Sequence, residues 1–235
     1  MAQLEELEKI LGTKFRDRQI LKEALTHRSY LNENPSWSSP HNERLEFLGD
    51  AVLELITTEF LYAKFPKDDE GKLTSIRAAL VNYLMLSRIA RDIGLEKFLY
   101  LSRGEANDTK KARDVILANA MEAVIGAIYL DQGIGVTKRA ITDIVLSHLD
   151  EVMSKELYRD PKSVLQEIAQ EKMKVTPVYR VLKEEGPDHE KQFLVGVYLD
   201  SKLAGEGIGS FKQEAESRAA EAALSQLGYS NGNGK

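Results

Sequence analysis

The stretch Asn42-Glu-Arg-Leu-Glu-Phe-Leu-Gly-Asp-Ala-Val-Leu53 has the apolar spacing of an amphipathic helix. The apolar stripe of this helix consists of Leu45, Leu48, Val52 and Ile56. At about 100° per residue, the carboxylates of Glu43, Glu46 and Asp50 lie within about 60° of one another on a different side. For this helix alone, a solvated acidic edge and a functional carboxylate cluster are equally good interpretations.

A second segment, Ile116-Leu-Ala-Asn-Ala-Met-Glu-Ala-Val-Ile-Gly-Ala-Ile-Tyr-Leu130, is apolar on every face, which predicts a helix buried all round. Its strongly polar interior residues, Asn119 and Glu122, are three positions apart and therefore share a face. A buried carboxylate without a partner is costly or becomes protonated, so Glu122 needs a cation, hydrogen-bond donors or water. Gly126, one turn further on, would let another helix or a substrate approach closely.

Two helices that each present oxygen ligands predict a site for a hard divalent cation. Carboxylate and amide oxygens suit Mg²⁺ or Mn²⁺, and such an ion can activate water and stabilise charge on a phosphoryl oxygen. None of the four histidines has a helical i, i+4 partner suited to zinc. The alternative is a buried salt bridge from Glu122 to Arg44 or Arg77, and the periodicity alone favours neither interpretation.

The composition limits the possible classes of protein. A chain of 235 residues with 43% hydrophobic residues indicates one large or two unequal folded domains. The absence of cysteine excludes disulfides and thiolate metal sites, and it fits a reducing cytoplasm. No signal peptide or membrane-spanning stretch is recognisable, so we expect no membrane association. The net charge of −5 argues against nucleic acid unless basic groups are arranged locally.

The pattern changes near Asp160-Pro161. Residues 4–154 show helical spacing throughout, whereas β-like runs with turn residues between them follow. The predicted elements of the second part are a helix over 162–172, strands over 175–182, 192–199 and 202–209, and a helix over 212–227. This order predicts an all-α N-terminal domain, residues 1–156, and a small α+β (α-β-β-β-α) domain, residues 160–229. Residues 230–235 are rich in Gly and Asn and are predicted to form a disordered tail.

The helical stretch that begins at Asn42 resembles the signature of bacterial ribonuclease III. Further segments that resemble the family are Ala24-Leu-Thr-His-Arg-Ser-Tyr30, Glu70-Gly-Lys-Leu-Thr74, Leu101-Ser-Arg-Gly-Glu105 and Met121-Glu-Ala-Val-Ile-Gly-Ala-Ile-Tyr-Leu-Asp131. The resemblance implies a cytoplasmic homodimer that cuts double-stranded RNA with Mg²⁺, for which Mn²⁺ substitutes, and without an organic cofactor. It also implies products with 5′-phosphate and 3′-hydroxyl ends and short 3′ overhangs, from ribosomal RNA precursors and other structured RNAs.

The same resemblance implies roles for residues of both helical segments. It assigns metal binding to Glu46, Asn119 and Glu122, catalysis to Asp50 and Glu122, and a supporting acidic role to Glu43. The family usually has Asp where this sequence has Asn119, and an amide carries no negative charge. Loss of one charge weakens divalent-ion binding. The alternative is therefore a double-stranded-RNA-binding protein with attenuated catalysis.

Residues 160–229 resemble the double-stranded-RNA-binding domain, which recognises the shape of an A-form duplex. The RNA-binding residues implied by this resemblance are Gln166, Glu167, Pro187, His189 and Lys212. A basic pair commonly starts the last helix, but here Gln213 follows Lys212, which predicts fewer phosphate contacts and a shallower salt dependence. A helical metal enzyme that acts on small phosphoesters is a further alternative, and this second domain argues against it.

Overall fold

The structure is a computed structural model, and it describes residues 2–105, 109–186 and 191–229. By its internal contacts the chain divides into two units, Met1–Val152 and Met153–Lys235. The first unit is helical and the second combines helices with a three-stranded sheet, so the predicted fold class is confirmed. The ends of the two domains, 1–156 and 160–229, stay predictions. The predicted disordered tail, 230–235, lies outside the described residues.

The N-terminal unit is built from short and long helices joined by capped turns. Its described α-helices are α1 (Ala2–Ile10), α2 (Arg18–Ala24), α3 (Arg28–Glu33), α4 (Glu43–Lys64), α5 (Glu70–Val81), α6 (Tyr83–Asp92), α7 (Lys110–Gln132), α8 (Ile134–Ile144) and α9 (Leu149–Ser154). Asp17 caps α2 and Asn82 caps α6 through side-chain oxygens that accept from backbone N–H groups. Across the described ranges, no helix combines the length and apolarity needed to cross a membrane.

The two longest of these helices, α4 and α7, pack against each other in the core. Helix α4 buries Leu45, Leu53 and Ile56. Helix α7 also contacts α2, α6 and α8, and between Ile116 and Ile128 almost all of its side chains are buried. The prediction of a helix surrounded by protein is confirmed, because four neighbouring helices cover α7.

An aromatic cluster holds the loop that leads into α4. The ring of Trp37 lies 5.0 Å from that of Tyr30 and 4.6 Å from that of Tyr100, and the Lys22 ammonium lies 3.7 Å from the Trp37 ring centre. The indole N–H of Trp37 donates to Thr26 Oγ1 at 3.2 Å. Such ring pairs and the cation–π contact restrict the loop, and they thereby fix where α4 begins.

The C-terminal unit packs two helices on one antiparallel sheet. Its elements are α10 (Pro161–Ile168), β1 (Val178–Glu185), β2 (Gln192–Leu199), β3 (Lys202–Gly209) and α11 (Lys212–Gln226), with strand order β1-β2-β3. The core joins Val195 and Val197 of β2 to Leu165 of α10 and to the alanine face of α11. Both strand ranges β2 and β3 agree with the sequence prediction.

The first strand begins three residues later than predicted, at Val178, and extends to Glu185. A π-helical turn, Ala169–Met173, follows α10, and the backbone N–H of Val175 closes it by donating to the carbonyl of Ala169. Pro177 has no N–H to contribute to a sheet. The predicted strand start at 175 was therefore wrong. The helix predicted over 162–172 is present, but it is an α-helix only to Ile168 and continues as the π-helical turn.

Candidate active site

The backbones of α4 and α7 touch where two glycines face the opposite helix. A Cβ at Gly49 would lie 1.8 Å from the backbone oxygen of Glu122, and a Cβ at Gly126 would lie 2.3 Å from that of Leu45. Because no side chain fits at either point, the crossing requires glycine on both helices. Glu46 and Asp50 are three residues before and one residue after Gly49, so this crossing brings them beside Glu122.

Three carboxylates at this crossing repel one another. Burial and, to a smaller extent, the negative charges of Asp50 and Glu46 together raise the pKa of Glu122 to about 7. Burial also raises the pKa of Glu46, and neighbouring Glu43 and Asp50 act in the same direction. The structure therefore places Glu46, Asp50 and Glu122 within electrostatic reach of one another across two helices.

Asn119 is the fourth member of this group. Its side chain forms a hydrogen bond with the Glu46 carboxylate, which moderates the rise in the pKa of Glu46. A carboxylate can only accept, so the Asn119 amide N–H₂ donates. Asn119 thus faces the acidic cluster from α7, one turn before Glu122.

Glu43 lies at the exposed edge of the cluster. Its carboxylate is 3.5 Å from the Arg28 guanidinium and 3.7 Å from the ring nitrogen Nδ1 of His41. Arg28 belongs to α3, and His41 lies just before α4. Glu43 therefore connects the acidic cluster to a small basic group on its rim.

The alternative partner for Glu122 does not occur in the structure. Within the described ranges, no ion pair neutralises the Glu122 carboxylate, and its pKa responds to burial, Asp50 and Glu46. Arg77 instead donates to Thr58 Oγ1 at 2.9 Å, and the charge of Arg44 acts on Glu23. Neither arginine forms the buried salt bridge that would have given Glu122 a purely structural role.

The cluster fits a hard cation in donor type and in charge. The side chains that could act as ligands all offer oxygen atoms, and among the described residues no cationic side chain is paired with Glu122. In the described part of the chain, however, no three His, Cys, Asp or Glu side chains form a group that could hold a metal ion as they stand. Coordination would therefore require rotation of these side chains.

Three of the residues implied in RNA binding lie on two helices of the C-terminal unit. Gln166 and Glu167 are exposed on α10, and the Glu167 carboxylate forms an ion pair with Arg159 at 2.6 Å. Lys212 is the first residue of α11, and its ammonium lies 3.3 Å from Glu184. Pro187 and His189 lie outside the described residues.

Sequence reasoning did not identify Gly49 as a site residue. Its signal was present, since glycine inside a long helix costs about 1 kcal/mol relative to alanine and needs a compensating reason. The basic residues Arg28 and His41 were also missed. No spacing rule connects them to Glu43, because they reach it from another helix and a loop.

The sequence matches two known domain families. Residues 17–149 match the Ribonuclease-III-like family, and residues 161–227 match the double-stranded RNA binding motif. Ribonuclease 3 from Dehalococcoides mccartyi is 45% identical over 227 residues, which cover 97% of this chain and 96% of the relative. Ribonuclease 3 from Enterococcus faecalis is 43% identical over 223 residues, covering 94% of this chain and 96% of the relative.

A solved structure resembles the N-terminal part in fold as well. The nuclease domain of ribonuclease III from Campylobacter jejuni superposes with a TM-score of 0.56 at 42% identity, covering 61% of this chain and 96% of that chain. The family match over more than half of the chain, the near full-length relatives and the acidic helix crossing agree. The chain belongs to the ribonuclease III family.

Proposed function

We propose that this protein is a metal-dependent endoribonuclease that hydrolyses double-stranded RNA, leaving 5′-phosphate and 3′-hydroxyl ends with short 3′ overhangs. The observation that carries the proposal is the meeting of Glu46, Asp50 and Glu122 at the crossing of α4 and α7. Its support is the family membership and the match of residues 161–227 to a double-stranded RNA binding motif. Ribosomal RNA precursors and other structured RNAs are the proposed substrates, and a cytoplasmic location stays a prediction.

The proposed metal ligands are Glu46, Asn119 and Glu122, with Asp50 beside them. Mg²⁺, or Mn²⁺ in its place, would supply a bound water of lowered pKa and neutralise charge on the phosphoryl oxygen. The protein contributes closely spaced carboxylates whose mutual repulsion raises the pKa values of Glu122 and Glu46, and a bound cation would relieve this repulsion in exchange for protons. Asp50 is exposed and can accept a hydrogen bond from water, so we assign it the orientation of the attacking water.

The C-terminal unit would grip the duplex. We assign Gln166 and Glu167 of α10, with Pro187 and His189, to contacts in the minor grooves, and Lys212 at the start of α11 to backbone phosphates. The exposed positions of Gln166 and Lys212 support this assignment. The ion pair of Glu167 with Arg159 leaves its carboxylate compensated, which suits a residue close to phosphates.

We propose a homodimer that forms through α4. Phe47, Leu55 and Tyr62 of this helix are 81%, 62% and 75% exposed, and helical spacing places them on one side. Large apolar side chains that are exposed together indicate an interaction surface. The solved Campylobacter jejuni nuclease domain is described as having a region involved in dimer formation. Sedimentation should give a dimer for the natural chain and a monomer for Phe47→Asp.

One observation favours the alternative of a binding protein with attenuated catalysis. Asn119 adds no charge to the cluster, and its amide holds the Glu46 carboxylate in a hydrogen bond. A cation would have to compete with that hydrogen bond for an oxygen of Glu46. Under this alternative the duplex is bound and left intact.

A cleavage assay separates the two functions. The purified chain is incubated with a long RNA duplex, with and without Mg²⁺, and the products are resolved on a gel. Metal-dependent shortening supports the nuclease, whereas a shifted and intact duplex supports the binding protein. Glu122→Gln should lower the cleavage rate by at least about 100-fold. The control is Glu59→Gln on α4, whose exposed carboxylate is bound to Lys138 at 2.8 Å, and it should cleave normally.

A further inference from the structure

A single carboxylate holds two lysines at one end of the C-terminal sheet. Lys191 precedes β2, Lys212 begins α11, and Glu184 lies near the end of β1. The ammonium of Lys191 is 3.4 Å from Glu184 Oε2, and that of Lys212 is 3.3 Å from Glu184 Oε1. Each lysine therefore has its own oxygen of the same carboxylate.

The ring of Phe193 fixes the place of this group, which we call the lysine pair. The Lys191 and Lys212 ammoniums lie 5.9 Å and 5.4 Å from the ring centre. Phe193 faces Glu184 directly in the β1–β2 register, so both side chains project from the same face of the sheet, on which α11 packs. The lysine pair thus lies beside the start of α11, at the end of the sheet where the β1–β2 connection begins.

The lysine pair has the geometry of a binding site for an oxyanion, and the Glu184 carboxylate of the same chain occupies this site. The two nonbridging oxygens of a phosphate diester are arranged much like those of a carboxylate, so a phosphate in place of Glu184 could contact one lysine with each oxygen. Hydrogen bonding to Lys212 and Lys191 lowers the pKa of Glu184, so it is ionised and acts as an anion at neutral pH. All three side chains are 38–57% exposed, which leaves the position open to a ligand.

Stability does not explain the arrangement well, because exposed ion pairs contribute little to it. The arrangement does replace a positive charge that is missing at the start of α11, because Gln213 follows Lys212 where the resemblance predicts a second basic residue. Lys191 brings a second positive charge to that point from a different element. The N-terminal end of α11 adds its own partial positive charge for an anion.

We propose that Lys191 and Lys212 together bind one backbone phosphate of double-stranded RNA, and that Glu184 occupies the position of this phosphate in the free protein. This inference rests on the proposed RNA binding and adds a contact residue and a competing group to it. Glu184 then acts as an internal competitor: it orients both lysines before binding and weakens the affinity for every duplex alike, since phosphates carry no sequence information.

The test measures duplex affinity of the full chain in EDTA, where binding is observed without cleavage. The probe is a blunt RNA duplex longer than the roughly 16 base pairs that one such domain covers, titrated between about 50 and 200 mM salt. Lys191→Ala should bind roughly threefold to tenfold more weakly and lower the slope of log affinity against log salt by about one. Glu184→Gln should bind roughly threefold more tightly, because both lysines lose their internal partner.

Lys183→Ala is the matched control. Lys183 lies on β1 next to Glu184 and is 60% exposed. It pairs with Leu194 in the register, so its side chain projects from the face of the sheet opposite to that of Glu184. Its loss should leave the salt slope unchanged, and thermal melts should show that all three variants are folded. If Lys191→Ala matches Lys183→Ala, or if Glu184→Gln binds no more tightly than the natural chain, the inference is overturned. Failure of the natural chain to bind the duplex would instead overturn the proposed function.

Discussion

Replacing Gly49 with alanine tests whether the helix crossing builds the site. The new Cβ would lie 1.8 Å from the backbone oxygen of Glu122, whereas real Cβ atoms do not come within 3.0 Å, so the helices must separate by at least 1.2 Å. Backbone atoms cannot rotate away, and overpacking of this kind costs about 3 kcal/mol. Alanine regains about 1 kcal/mol through its higher helix propensity. The expected net loss in free energy of unfolding is about 2 kcal/mol.

That loss should lower the Tm by about 4–8 °C in a thermal melt followed by circular dichroism. The cleavage rate should fall by about 100-fold, because displacement by 1 Å misplaces Glu122 relative to Glu46 and Asp50. Gly135→Ala is the control, since Gly135 lies in α8 with nothing within 4 Å of an added Cβ. A Gly49→Ala variant that melts and cleaves like the Gly135→Ala control would refute the reasoning.

Three further changes test the electrostatics and packing of the N-terminal unit. In EDTA, the folded chain holds the Glu122 proton up to a pKa of about 7 while the unfolded chain releases it near 4.5, so stability should fall as pH rises between these values, by at most about 3 kcal/mol. Urea unfolding of Glu122→Gln should lack this decline, and an equal decline in both proteins would exclude Glu122 as its source. Thr57→Val should raise the free energy of unfolding by about 1 kcal/mol, because the buried Thr57 hydroxyl has no hydrogen-bond partner among the described residues; an unchanged or lower Tm would contradict this. Asn119→Asp should lower the Mg²⁺ concentration needed for half-maximal cleavage, since it adds a charge and removes the amide that holds Glu46; a titration without this shift would show that Asn119 is no ligand.

Much of the fold follows from hydrophobic spacing along the chain. Apolar residues on every face of 116–128 predicted a helix covered on all sides, and the β-like runs 192–199 and 202–209, with turn residues between them, predicted two strands correctly. The turn after α10 could not be predicted in the same way. Its closure depends on backbone hydrogen bonds from Lys174 and Val175 to the carbonyl of Ala169, whereas Val175 and Thr176 are residue types that favour a strand.

The candidate site, like the fold, could be predicted from the sequence only in part. The periodicity of each helix shows which face carries Glu46, Asp50, Asn119 and Glu122, because that is a property of one helix. The distance between the two helices is a property of tertiary packing, which Gly49 and Gly126 determine together. The contacts of Glu43 with Arg28 and His41 likewise join separate elements, and the local sequence contains no pattern that predicts them.

The aromatic cluster before α4 gives the two units separate spectroscopic signals. Trp37 is the chain's one tryptophan, and its indole lies among Tyr30, Tyr100 and Lys22 in the N-terminal unit. Tryptophan fluorescence therefore reports the unfolding of the N-terminal unit. The C-terminal unit, which has only tyrosine and phenylalanine, does not contribute to this signal. An unfolding curve recorded by circular dichroism follows the backbone of both units. Subtracting the normalised fluorescence curve from it would isolate the unfolding of the C-terminal unit within the intact chain.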